Sequence, residues 1–434
     1  MSLIKVCRIW IPALLLACSC TEYPSAERFV APEIEKIEAS VDGTDAVLVC
    51  RVSSYSAGCT GYGFEYSDTT GAVFSVRGQD MDKESGEFSC SLSGLESDMK
   101  YVFRAFIDSG ERRYESEQSV FSTDPCIVDG RFGSEEFLEF CIGEYDTSGD
   151  GHLSLSEADK VTKMVLLRAV HSVRGIDVFR NLESFSCLRA AVDTLDLSGC
   201  RKLSKVSASS SGIKVVLLPE MSDISYLDLS SNKLESIDLE SCGNLESLNC
   251  SGNIGFSLRD FQPISGIRSL NLYNTAAVDI DLDGFSNLEE FTCGSSMFEP
   301  VSLSLEGCSS LKSLNVEMLD SPLDFSEFPN LKKLDMNLCY DQLELDLTSN
   351  IALEEIKIVD CGVKNADFSL CRSLRKATLW YTSMSTMDFS RCRSLSELDC
   401  RYNKNLESVL VAAGQEMSIK TDPGFTVSEV SMGD

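Results

Sequence analysis

Leu245-Glu-Ser-Leu-Asn-Cys250, Ile267-Arg-Ser-Leu-Asn-Leu272, Leu288-Glu-Glu-Phe-Thr-Cys293 and Leu311-Lys-Ser-Leu-Asn-Val316 are four versions of one pattern, apolar at its first, fourth and sixth positions. The pattern runs on in both directions. Upstream lie Leu182-Glu-Ser-Phe-Ser-Cys187, Leu203-Ser-Lys-Val-Ser-Ala208 and Ile224-Ser-Tyr-Leu-Asp-Leu229. Downstream follow Leu331-Lys-Lys-Leu-Asp-Met336, Leu353-Glu-Glu-Ile-Lys-Ile358, Leu374-Arg-Lys-Ala-Thr-Leu379 and Leu395-Ser-Glu-Leu-Asp-Cys400. The leading residues are spaced 21, 21, 21, 22, 21, 23, 20, 22, 21 and 21 apart, and Val161-Thr-Lys-Met-Val-Leu166 supplies a twelfth copy. A fixed period near 21 is the signature of stacked coils rather than of separate globular domains. Each coil has an apolar side that it cannot bury alone, so its neighbours bury it.

Eight residues after each leading position stands a small or polar group: Ser211, Asn232, Asn253, Thr275, Ser296, Cys339, Cys361, Thr382 and Asn403. The whole is L-x-x-L-x-L-x-x-[N/C], and over about 270 residues it resembles the leucine-rich repeat. That resemblance implies an inward column that hydrogen-bonds the backbone where each coil leaves its strand. A second apolar segment follows in each turn, as in Leu195-Asp-Leu-Ser-Gly-Cys200 and Met387-Asp-Phe-Ser-Arg-Cys392, which predicts short strand or extended chain on the convex side, not helix. The variant is similar to the cysteine-containing repeats of Bacteroidota-type surface lipoproteins. The predicted fold is mainly β: a solenoid of 11–12 turns over residues 161–434, with a C-terminal cap. Its eleven cysteines read as reduced core fillers, with adjacent-turn pairs such as Cys371 and Cys392 as the candidates for a bridge.

Just before the array, Asp146-Thr-Ser-Gly-Asp-Gly-His-Leu-Ser-Leu-Ser-Glu157 follows the twelve-residue calcium loop. Asp146, Ser148, Asp150, the His152 carbonyl, Ser154 through water and Glu157 take the ligand positions, and Gly151 supplies the sharp turn. Calcium is hard and takes six to eight oxygens, which is why carboxylates and carbonyls converge. The loop resembles an EF-hand, departing from it in the neutral Ser148. It stands alone, so Ca2+ here reads as a structural clamp more than a switch. Residues 125–160 are thus a helix-loop-helix that caps the array.

Residues 32–124 carry short β-rich runs, including Ala46-Val-Leu-Val-Cys-Arg-Val52 and Tyr101-Val-Phe-Arg-Ala-Phe-Ile107, separated by Gly, Ser and Asp clusters. The stretch Leu92-Ser-Gly-Leu-Glu-Ser-Asp-Met-Lys-Tyr101 is similar to the E–F corner of fibronectin type III-like modules, which implies a small β-sandwich. Cys50 and Cys90 read either as an inter-sheet bridge or as small buried hydrophobes. Residues 1–20 read as a signal: Lys5 and Arg8, then a short apolar run ending Leu15-Leu16-Ala17-Cys18. That ending resembles the bacterial lipobox, which implies lipidation of Cys18, with 21–31 as a polar tether. The chain is then exported to the bacterial outer membrane or cell surface, on a lipid anchor.

Composition excludes much else. With 38 Lys+Arg against 68 Asp+Glu the net charge is −30, which rules out a general nucleic-acid binder. Two histidines, His152 and His171, leave little room for His-based zinc sites or Ser-His-Asp triads. No Gly-rich phosphate loop and no nucleophile beside a base appears, so the chain reads as a non-enzyme. The array offers two candidate surfaces. One is the column Asp196, Asp238, Asp281, Asp324, Asp346, Asp367 and Asp388, either a carboxylate ladder for cations or a basic partner, or a solubilising repeat feature. The other is Tyr273, Trp380 and Arg401 in one register, with Tyr381 and Tyr402 one further. These are residue types enriched at binding hot spots, with packing on the rim as the plainer reading. The function this implies is binding of a protein partner, as in adhesion, by a monomeric surface lipoprotein. The alternative is a calcium-supported carbohydrate-binding accessory protein.

Overall fold

The structure is a computed structural model; it describes residues 30–430 apart from 55–58, 69, 168, 222, 258–265, 296–298 and 424–425. Cys18 and Ser296 lie outside the described residues. The chain divides into two bodies, one ending at Pro125 and one beginning at Cys126.

The first body is a two-sheet sandwich. β1 (Glu33–Asp42), β2 (Asp45–Ser54) and β5 (Glu87–Leu92) form one antiparallel sheet. β3 (Cys59–Ser67), β4 (Val73–Arg77), β6 (Lys100–Ser109), β7 (Arg112–Glu115) and β8 (Ser119–Ser122) form the other. Alternating residues such as Leu48, Phe64, Phe88 and Phe103 fill the space between the sheets. The Tyr101 hydroxyl accepts the Glu96 N–H at 3.0 Å, the tyrosine corner that such sandwiches place before this strand. Cys50 and Cys90 sit on the neighbouring strands β2 and β5 of one sheet, and both are free thiols. Of the two readings of that pair, the structure takes the buried hydrophobe.

The second body is the solenoid. One strand per coil lines up in a parallel sheet of thirteen, from Lys163–Leu166 to Ser418–Lys420. Register is kept from coil to coil: Leu248 pairs with Leu270, Leu270 with Phe291, and Phe291 with Leu314. The twelfth expected copy is the first strand of this sheet. A thirteenth, Ser418–Lys420, closes it without the full apolar pattern. The convex side is short strands, such as Thr194–Asp196 and Glu344–Asp346, with 3-10 turns at Ile176–Val178 and Phe325–Glu327. One apolar core runs the length of the array and includes Phe137, Cys141 and Leu153 from the loop segment.

Two inward columns tie the coils together. In the first, Asn232 accepts the N–H groups of Ser211 and Ile213 and donates to the carbonyls of Ala208 and Leu229. Asn253 and Asn403 repeat the arrangement, and in the same column the Cys361 sulfur accepts the Cys339 N–H at 3.4 Å. The second column lies after the convex strand. There Cys200, Cys308, Cys371 and Cys392 turn their thiols to carbonyls of the preceding coil, and Asn350 and Gln415 do the same with amides. These cysteines are therefore weak donors in a ladder as well as fillers. Every described cysteine is free, Cys371 and Cys392 included. Burial pushes the Cys371 and Cys392 thiols up to about 12, so they stay protonated near neutral pH.

Candidate functional site

The outward side of the thirteen-strand sheet is small and polar over its middle coils, with Ser207, Asn249, Asn271 and Asn315 in one column. Its charges nearly balance. Lys163, Lys205, Lys333, Lys357, Lys376, Arg401 and Lys420 stand against Asp228, Glu290, Glu317, Asp335, Glu355, Glu397, Asp399 and Asp422, seven against eight, in a chain whose total is −30. Several of these pair across coils, as Lys357 with Asp335 at 2.8 Å and Lys376 with Glu397 at 3.3 Å. Such exposed pairs contribute little stability each, about 0–1 kcal/mol, but they leave this side free of the net repulsion carried elsewhere.

Four of the five candidate partner-binding residues come together at its C-terminal end. Arg401 makes a two-point bond to Asp399, Nε to Oδ1 at 2.9 Å and Nη2 to Oδ2 at 2.7 Å. Its Cζ lies 5.7 Å from the Trp380 ring and 5.5 Å from the Tyr402 ring. Trp380 meets Tyr402 edge-on at 5.9 Å, and Tyr381 stacks on Tyr402 at 5.0 Å. The Arg401 hydrogen bonds hold the Asp399 carboxyl below the usual carboxylate range. Trp380 is half-buried, whereas Tyr381 and Tyr402 keep about half of their surface in solvent. Side chains fixed in this way have little freedom left to lose on binding.

Tyr273 does not join them. It stands five strands away along the sheet, about 24 Å at the usual strand spacing. Its ring lies over Gly294, where an added Cβ would be 3.0 Å from the ring carbons, and a hydrogen bond to Glu317 pushes its hydroxyl up. Tyr273 is therefore packed along the rim. The aspartate column also has a local explanation. Each carboxylate accepts the N–H two residues on: Asp196 from Ser198, Asp238 from Glu240, Asp281 from Asp283, Asp324 from Ser326, Asp346 from Thr348, Asp367 from Ser369 and Asp388 from Ser390. These are Asx turns that end the convex strands.

No family model and no curated protein matches this chain. Among solved structures it is similar to the functional domain of InlJ from Listeria monocytogenes, described as including a cysteine ladder. The two share 16% identity and a TM-score of 0.42 over 67% of this chain and 77% of that one. That overlap is too loose to carry anything over, and the solenoid stands on its own strand register.

The acidic loop sits between α1 (Glu135–Tyr145) and α2 (Leu155–Ala158). Ser134 caps α1 by accepting the Phe137 N–H. Asp146 accepts N–H groups from Gly149 and Gly151, and Asp150 accepts that of His152, so the loop's own backbone aims these carboxylates. Glu157 is buried and gathers five donors: the N–H and hydroxyl of Thr147, the N–H of Ser148, and the N–H and hydroxyl of Ser154. Burial alone would raise its carboxyl, but these donors overcome burial and hold it at about 2. Ile127 pairs with Ser154 in an isolated antiparallel bridge, and Asp129 accepts the Leu153 N–H and meets the His152 ring. An all-oxygen set with three carboxylates suits a hard cation. Among the described residues, however, no group of three or more His, Cys, Asp or Glu side chains is gathered to hold a metal ion. Nor is any described helix long and apolar enough to cross a membrane.

Sequence reasoning missed three members of the C-terminal cluster's surroundings. Tyr340 is exposed and bonds Asp360 through its hydroxyl at 3.3 Å, and Asp422 accepts the Tyr402 N–H. Asp360 occupies the same turn position as Tyr381 and Tyr402, whereas Asp422 stands level with Arg401, so reading these two adjacent columns through every coil would have found both.

Proposed function

We propose that this chain is a non-catalytic protein of the bacterial envelope that binds a protein partner through the C-terminal coils of its strand face. The observation that carries the reading is the fixed group Trp380, Tyr381, Arg401 and Tyr402, set on coils with paired surface charges beyond the Ser, Asn and Thr of the middle coils. Rigid Tyr, Trp and Arg anchors among small adaptable polar groups are the composition that protein-binding surfaces use. A carbohydrate partner is the competing outcome, since exposed tyrosine faces also suit sugar rings.

Lipidation at Cys18 is proposed as the anchor and Ca2+ at the 146–157 loop as a clamp on the entry to the array. Metabolic labelling with an alkyne fatty acid tests the first: the wild type takes up label and Cys18→Ala does not.

The face is tested by placing a photo-crosslinking phenylalanine at 381 and, as control, at 186 near the other end of the sheet. Exposure to cell-surface protein extracts, with a glycan array in parallel, should give a discrete protein adduct at 381 and none at 186. Adducts at 186 alone, or glycan binding without any protein adduct, would overturn the reading.

A further inference from the structure

The residue that follows each strand turns the chain out of the sheet in a left-handed conformation. Leu338, Asp360, Tyr381 and Tyr402 all have φ between 52° and 67°. Backbone bonds set these turns side by side, the Leu338 N–H on the Val359 carbonyl and the Asp360 N–H on the Trp380 carbonyl, and at the end of the row the Asp422 carboxylate accepts the Tyr402 N–H. Leu338 to Asp422 is four steps, about 19 Å at the usual strand spacing. Along this row alternate aromatic rings and carboxylates: Tyr340 with Asp360, then Tyr381 and Tyr402, then Asp422. Tyr340, Tyr381 and Tyr402 are 56%, 50% and 42% exposed.

Ring faces and carboxylates together attract cations, through the ring quadrupole and through ion pairing. The chain already shows this chemistry internally, because the Arg401 guanidinium lies over Trp380 and Tyr402 while Asp399 chelates it. The exposed ring surface of Tyr381 and the half-buried carboxylates of Asp360 and Asp422, each already accepting one hydrogen bond within the chain, place the same elements at the surface. The overall charge of −30 favours the approach of a basic partner and opposes an acidic one. A non-Gly, non-Asn residue in a left-handed turn is also conformationally costly, by roughly 1–2 kcal/mol. Tyrosine at two successive turns of this row is therefore not what backbone preference alone selects.

The geometry points to this row as a docking strip for a basic, arginine- or lysine-bearing segment of an extended polypeptide. An extended chain covers about 3.3 Å per residue, so the strip seats about six residues. The inference rests on the proposed protein-binding role and names the chemistry of the partner.

The test uses the full chain and fluorescein-labelled (Arg-Ser)4, (Lys-Ser)4 and (Glu-Ser)4 peptides. The basic peptides should bind, more weakly as salt rises, and the acidic one should not. Tyr381→Asn with Tyr402→Asn keeps the net charge and suits the left-handed turns; it should weaken binding about tenfold. Asp360→Asn with Asp422→Asn should weaken it as much, while Asp228→Asn, in the sheet's N-terminal half, should not. Melting temperatures on the same samples check folding. Equal binding by the tyrosine variant, or equal losses at Asp228, would mean diffuse attraction to an acidic protein and would overturn the strip. A protein adduct at 381 that the basic peptides fail to displace would sink this inference while leaving the face reading intact. Displacement-free peptide binding with no adduct would do the reverse.

Discussion

Tyr381 and Tyr402 stack ring on ring, 5.0 Å apart and 10° from parallel, from two successive left-handed turns. The stack contributes about 0.5–1.5 kcal/mol, and the Tyr381 turn costs about as much. Tyr381→Asn removes both terms at once. Its thermal stability should stay within about 1 kcal/mol of the wild type, while partner capture falls. A drop of about 3 kcal/mol or more, the scale of a lost aromatic core residue, would make the ring a core element and withdraw it from the binding site.

The inward amide column makes a sharper demand than the thiol column. Asn232→Ala strands the N–H groups of Ser211 and Ile213 inside the core. Unsatisfied buried groups cost about 1–3 kcal/mol each, so the expected loss is about 3 kcal/mol or more. Cys371→Ala removes one weak donor and a small volume, about 1–2 kcal/mol. Urea unfolding of both variants against the wild type ranks them. Trp380 serves as the optical probe, the only other tryptophan being Trp10. An equal or reversed ranking would mean that the amides do not organise the coils.

The array was legible because its signal repeats: one apolar pattern at a 21-residue period leaves no second way to bury the same residues. The closing strand Ser418–Lys420 was not, because it keeps only Ile419 of the pattern, with Glu416 and Thr421 at the other two apolar positions. Trp380 and Arg401 were readable as neighbours from their shared register one period apart. Tyr273 shares the register too, yet register fixes a column and not a distance along it, and four strands lie between it and Trp380. The aspartate column looked like a surface feature until its partners two residues on were seen. An Asp-x-Ser/Thr reading would have exposed most of these turns. The donor role of the second-column thiols had no sequence signal, since a cysteine in a core and a cysteine in a ladder are written alike.

The Asp399–Arg401 bond has a pH signature. Arg401 holds the Asp399 carboxyl below its unfolded value, near 3.9. The pair's stabilisation is therefore present above about pH 4 and is lost as pH falls through the lower folded value. Arg401→Gln should be slightly less stable than the wild type at pH 7, as expected for a partly exposed pair. The gap between variant and wild type should close below pH 4. Stability curves at pH 7, 5, 4 and 3 measure it. A gap of the same size at pH 7 and pH 3 would mean that Arg401 acts by packing over Trp380 and Tyr402, not through the carboxylate.

Calcium at the 146–157 loop is decided by titration. Glu157 already joins the two ends of the loop, through Thr147 and Ser148 on one side and Ser154 on the other. The loop should thus keep its fold when chelated. The ion adds bonds among Asp146, Ser148, Asp150 and Glu157, and the neutral Ser148 leaves one less charge to hold it. Calorimetry on chelator-stripped protein should show one ion per chain. Saturating calcium, at a hundred times the Kd, should add about 2.7 kcal/mol of stability. Glu157→Gln should abolish uptake and also lower the melting temperature in chelator, because an amide NH2 then faces N–H groups that now meet a carboxylate oxygen. Loss of stability in that variant with no calcium uptake by the wild type would make Glu157 the sole tie of the loop and end the clamp reading. Calcium uptake that Glu157→Gln leaves untouched would place the ion elsewhere on the chain.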